Sequence, residues 1–186
     1  MSRSIRAAWQ REATRVVGCG AVLIAAAAVS AAASAHSATS TAAPKCSAAN
    51  TQVWLGLGLG GGTAGSTYYP LEFSNVGHHA CTLNGYPRVS AYRGGGSQVG
   101  PAASRNGQRH RTVTLAPGAT AHAILRILDW GALCSSEVVA DGLKVYPPGQ
   151  TRSEPVPFSF GACAHRGVLE VGPVHAGVGI PGYTTS

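Results

Sequence analysis

The feature that most constrains this chain is a set of short runs with a period of two, each stopped by glycine or proline. In Thr120 to Leu128, Ala121, Ala123, Leu125 and Ile127 take one side, while Thr120, His122, Ile124, Arg126 and Leu128 take the other. Successive side chains of a strand point to opposite faces, so this spacing predicts a strand with one buried face. The same pattern runs from Gln52 to Leu59, ended by Gly60-Gly61-Gly62, and from Tyr69 to Ser74, ended by Asn75-Val76-Gly77. Val89 to Tyr92, Thr112 to Leu115, Leu143 to Tyr146, Val156 to Phe160 and Val168 to Val171 continue it. No window of helical length beyond the leader carries an apolar stripe, although Trp130 to Ala140 has room for a short helical turn. About eight strands with turn residues between them predict an all-β fold, an antiparallel two-sheet sandwich of immunoglobulin-like type.

The first 35 residues read as a leader rather than as fold. Arg3, Arg6, Arg11 and Arg15 precede an apolar run from Val16 to Ala33, and Ala33-Ser34-Ala35 supplies small residues for cleavage near Ala35. The run is long enough for an uncleaved membrane anchor, but its alanine richness favours cleavage and a secreted or extracytoplasmic product. Cys19 lies near the start of the apolar run, most of which follows it, so it does not occupy a lipidation position and belongs to the leader. His36 to Lys45 (HSATSTAAPK) has no periodicity and reads as a flexible linker, leaving 46–186 as a single domain.

Removal of the leader leaves Cys46, Cys81, Cys134 and Cys163, an even set in an exported chain, which implies two disulfides. Three pairings are open to four cysteines. Cys46 with Cys81 and Cys134 with Cys163 is favoured, since each pair closes a loop of moderate length around neighbouring strands.

Charge excludes some partners. Of 14 Lys and Arg, four fall in the leader, and the mature balance is only mildly basic. The one dense run, Arg105 to Arg111 (RNGQRHR), lacks interleaved stacking aromatics, so nucleic acid is not expected. A solvated loop is the plain reading of it; contact with an anion or an envelope polymer is the alternative.

Four groups of residues could carry chemistry. His78 and His79 stand two residues ahead of Cys81 in GHHACTLNGYP, but neighbouring side chains of an extended segment diverge, and a disulfide-bonded Cys81 is no thiolate ligand. No metal and no cofactor are expected, with His78 and His79 kept as ligand candidates. Gly56 to Gly61 matches G-x-G-x-x-G, yet a loop and another strand follow where a dinucleotide site needs a helix. Neither G-x-S-x-G nor S-x-x-K occurs in the mature chain, and no carboxylate pair has a reason to converge; Glu72 falls on the polar side of its strand. Trp54, Tyr68 and Tyr92 fall on outward faces, where aromatics can stack on sugar rings or peptides, or simply pack under loops.

The ordered blocks YPLEFSNVGHHACTLNGYPRVSAY (69–92), VTLAPGATAHAIL (113–125), Cys134, LKVYPPGQ (143–150) and the residues around Cys163 carry a resemblance. The order F-x-N-x-G, C-x-L-x-G-Y-P, L-x-P-G-x-x-A resembles the exported actinobacterial family known as domain of unknown function 4232. The resemblance implies a secreted or lipid-anchored envelope β-sandwich with no assigned activity, to which the four cysteines belong. Many members look like lipoproteins; this leader departs from them in the position of its cysteine. The expectation is a monomeric, non-enzymatic interaction module meeting an envelope protein or polymer, with membrane contact only through an uncleaved leader. A glycan- or metal-binding protein is the alternative, and an envelope hydrolase a more distant one.

Overall fold

The computed structural model describes residues 42–57 and 61–179. The leader, its cleavage point at Ala35, Cys19, most of the linker and the centre of the G-x-G-x-x-G match lie outside the described residues.

Thirteen strands form, and no α-helix is present among the described residues. They are β1 (Thr51–Leu55), β2 (Gly61–Thr63), β3 (Ser66–Asn75), β4 (Cys81–Asn84), β5 (Arg88–Arg93), β6 (Ser97–Val99) and β7 (Ser104–Arg105). After these come β8 (Thr112–Leu115), β9 (Thr120–Leu128), β10 (Val138–Tyr146), β11 (Glu154–Ala162), β12 (Leu169–Val171) and β13 (His175–Ala176). One sheet has the order β1-β3-β9-β12-β7, with β2 on β3 and β13 on β9; the second runs β11-β10-β5-β6; β4 and β8 pair separately. The all-β two-sheet sandwich is therefore observed. Its additional strands are mostly short pieces of two or three residues, too brief to show alternation. One pairing departs from the antiparallel rule: β12 and β7 are parallel, with Glu170 opposite Ser104.

The core is the inward alternation of both sheets. Leu71 and Phe73 of β3 and Ala121, Ala123 and Leu125 of β9 are fully buried, as are Ala140, Leu143 and Val145 of β10. Ala140 lies at odd spacing from Leu143 and Val145, yet all three are buried, because the register shifts between Ala140 and Gly142. This bulge reverses the phase of β10 midway. A Cβ on Gly142 would stand 2.6 Å from the Val156 carbonyl oxygen, so glycine is required where the bulge crosses β11. Asp141, turned outward, accepts from the Gly94 N–H at 2.7 Å and holds the β5–β6 turn.

Two disulfides staple the sandwich, Cys46–Cys81 and Cys134–Cys163, the pairing favoured by loop length. The first ties the entering chain to β4. The second ties the segment after β9 to the end of β11. Order extends slightly ahead of Cys46: the Pro44 carbonyl accepts from the Thr82 N–H at 2.8 Å, and Lys45 bridges to Thr82.

Candidate binding site

The residues singled out in the sequence do not gather into one site. His78 and His79 are exposed on the bend between β3 and β4, and Cys81 beside them is oxidised. Among the described residues no three His, Cys, Asp or Glu side chains are placed to hold a metal ion. Trp54 lies on the outer face of the larger sheet, 38% exposed, its indole N–H 3.4 Å from the Ser74 hydroxyl. Tyr68 shares that sheet but is half-buried beneath Arg126, whose guanidinium carbon is 5.9 Å from the ring centre. Tyr92 belongs to the other sheet, under Lys144. Gly61 and Gly62 form the hairpin strand β2 against Tyr68 and Thr67, so a hairpin and not a helix follows the glycine run.

A different group of aromatics converges. At the mouth between the two sheets, Tyr69 of β3, Phe158 and Phe160 of β11 and Trp130 line an open cleft of about 370 Å³, and all four are half-buried. The Tyr69 and Phe158 rings meet edge to face at 5.0 Å, and Phe158 and Phe160 lie stacked at 5.6 Å. Trp130 is positioned by its predecessor: the Asp129 carboxylate caps the Trp130–Ala132 turn by accepting from the Gly131 N–H at 3.0 Å, and the Asp129 N–H donates to the Gly65 carbonyl. The indole then closes over Gly161, where a Cβ would lie 2.5 Å from Trp130 Cδ1 and would also strike the Glu137 carboxylate. Thr63, Thr67 and Asp129 add polar groups to the lining. Rings with polar groups beside them make a surface that stacks on an apolar ring face and hydrogen-bonds its substituents. The alternation Val156, Phe158, Phe160 reads in sequence as an ordinary core strand; only the end of the opposing sheet leaves two of its rings half open.

Glu72 and His122 are the second unexpected feature. They are cross-strand partners on the outward side of β3 and β9, where alternation predicts exposed polar groups, yet both are buried. The chain after β13 lies over them: the Gly179 N–H donates to Glu72 Oε1 at 2.7 Å, and the Gly177 carbonyl lies 2.9 Å from His122 Nδ1. Glu72 Oε2 and His122 Nε2 have no hydrogen-bond partner among the described residues. Burial pushes the Glu72 carboxyl above the ordinary carboxylate range, against the opposing pull of the Gly179 N–H.

A further polar centre explains the sequence blocks. Asn75 is buried, and its amide donates to the His79 carbonyl at 2.9 Å and to the Leu115 carbonyl at 3.1 Å, while its Oδ1 accepts from the Gly77 N–H at 3.0 Å. Its backbone N–H donates to Ala119 and its carbonyl accepts from Gly118. The family model for the domain of unknown function DUF4232 matches residues 46–175. The chain belongs to the DUF4232 family. Among curated proteins, none matches the chain. In this DUF4232 chain, F-x-N-x-G, C-x-L-x-G-Y-P and L-x-P-G-x-x-A meet in space around Asn75, Cys81 and Leu115, as parts of one structural corner. These three motifs are thus spent on holding the fold, away from the aromatic mouth.

Proposed function

We propose that the protein is an exported, non-catalytic binding module of the cell envelope that takes a saccharide ligand in the cleft lined by Tyr69, Trp130, Phe158 and Phe160. The convergence of these four half-buried rings on one open cleft carries the reading. Lining hydroxyls and the Asp129 carboxylate offer partners for sugar hydroxyl groups, and ring faces suit the apolar side of a pyranose. Export is supported by the leader pattern of the first 35 residues and by two disulfides, which persist in oxidising compartments.

The test is binding to peptidoglycan fragments and envelope polysaccharides, followed by amide chemical shifts. Shifts at Thr67, Tyr69, Asp129 and Phe160 that vanish in Trp130→Ala and Phe158→Ala support the proposal. Saccharides that move no cleft amide, or binding untouched by both substitutions, would sink it.

A further inference from the structure

A second cleft, of about 590 Å³, lies between β8 and β13, lined by Arg109, His110, Arg111, Thr112, Thr114 and His175. It sits near His122, at one end of β9, whereas the aromatic mouth meets Ile127 and Leu128 at the other. Among the described residues, no carboxylate lines it. The one ion pair among the described residues is Arg126–Glu170, and neither Arg109 nor Arg111 hydrogen-bonds to any described residue through its guanidinium. Arg109 and Arg111 are therefore exposed at a concave site with no carboxylate among its described lining residues.

The loop that carries these groups is held in place rather than left to wander. Tyr86 donates its hydroxyl hydrogen to the Gln108 carbonyl, receives the Arg105 guanidinium over its ring at 5.3 Å, and meets the His110 ring edge-on at 6.0 Å. The Asn106 N–H donates to Val171, and the Asn106 side chain accepts from the Gln108 N–H. The Asn84 amide donates to the Thr112 hydroxyl at 2.8 Å, which leaves that hydroxyl's own hydrogen free for a ligand. His175, on the opposite wall, is backed by the stacked His122 ring at 5.7 Å. Prepositioned donors lose less freedom on binding than mobile ones.

We propose that this cleft binds phosphate esters, with Arg109 and Arg111 taking the non-bridging oxygens and the Thr112 hydroxyl a third contact. Two guanidinium forks and a hydroxyl supply more donors than a planar carboxylate, which needs only one fork, and suit a tetrahedral oxyanion. The site is independent of the saccharide cleft and goes beyond it.

The test titrates the protein with inorganic pyrophosphate and, separately, with vesicles of phosphatidylglycerol against vesicles of phosphatidylcholine, at near-physiological salt. Binding to pyrophosphate identifies a soluble or polymeric phosphate as the source; binding to phosphatidylglycerol vesicles alone identifies a lipid headgroup. In either arm, Arg109→Ser with Arg111→Ser weakens binding roughly tenfold or more. Arg93→Ser with Arg152→Ser, which removes the same charge elsewhere, leaves binding within about twofold. Equal losses in the two double variants mean diffuse attraction and overturn the proposal, as does the absence of binding to both probes. An unchanged thermal midpoint in all variants confirms that the loop substitutions leave the fold intact.

Discussion

Glu72 and His122 face each other across β3 and β9, each held by one atom to the chain beyond β13 and each with its other polar atom buried without a hydrogen-bond partner among the described residues. A polar pair on the outward side of a sheet has thus become interior, because the C-terminal segment covers it. Burying a carboxyl with an unmatched oxygen costs stability, and the cost grows when the group ionises.

Stability should therefore depend on pH through Glu72. Its carboxyl titrates above the ordinary range because burial disfavours the charge. In that window the folded state keeps a proton that the unfolded chain has released, so the stabilisation is complete below the ordinary carboxylate value and is lost as pH rises through the raised one. Glu72→Gln keeps an acceptor for the Gly179 N–H and removes the charge. Urea midpoints should place this variant above the wild type at neutral pH, with the gap closing on acidification; a gap independent of pH would refute the assignment.

Asn75→Ala strips three side-chain hydrogen bonds from a buried corner and leaves the Leu115 carbonyl without the Asn75 amide. A loss of about 2 to 4 kcal/mol is expected by denaturant unfolding. Asn75→Asp should be at least as damaging, since it retains the acceptor for Gly77 but points a carboxylate at two carbonyls. If the aspartate variant is as stable as the wild type, the amide is not the tie between the β3 bend and the β8 turn.

The two disulfides span 35 and 29 residues, so in the chain-entropy account each should contribute about 3 to 4 kcal/mol, within a few tenths of one another. Paired Cys→Ser variants compared by guanidinium unfolding check this. A marked inequality would show that one bridge also supports native packing that the other does not.

Gly161→Ala tests the aromatic mouth without touching its rings. The added methyl would meet Trp130 Cδ1 and Nε1 at 2.5 and 2.6 Å and collide with Glu137, so Trp130 must move. A red-shifted emission from Trp130 and a loss of saccharide binding are expected together, with Trp9 and Trp54 replaced by Phe to isolate the signal. An unshifted spectrum would mean that the indole does not pack on Gly161.

Long strands with one clean face were legible in the sequence: β9 is found residue for residue, and β3 in all but its ends. β10 was legible only after its bulge, since the phase change at Gly142 breaks the period on which the reading depends. Pairs as short as β7 and β13 have no period to show. The cysteine framework was legible because four cysteines allow only three pairings and loop length favours one of them. The aromatic mouth was not, since Phe158 and Phe160 alternate just as core residues do, and their partial exposure follows from where the opposing sheet ends. Glu72 misled for a related reason: alternation tells which side of a sheet a residue takes, and cannot tell what later covers that side.

The first staple also has a mechanical meaning. Cys46 is covalently joined to Cys81, its N–H donates to the Thr82 carbonyl, and its own carbonyl accepts from the Gln150 amide. A pull on the chain ahead of Cys46 is therefore stopped there and passed into β4 and the β10–β11 connection before it can reach β1. The domain can strain against a tether on that side without its edge strand being unzipped.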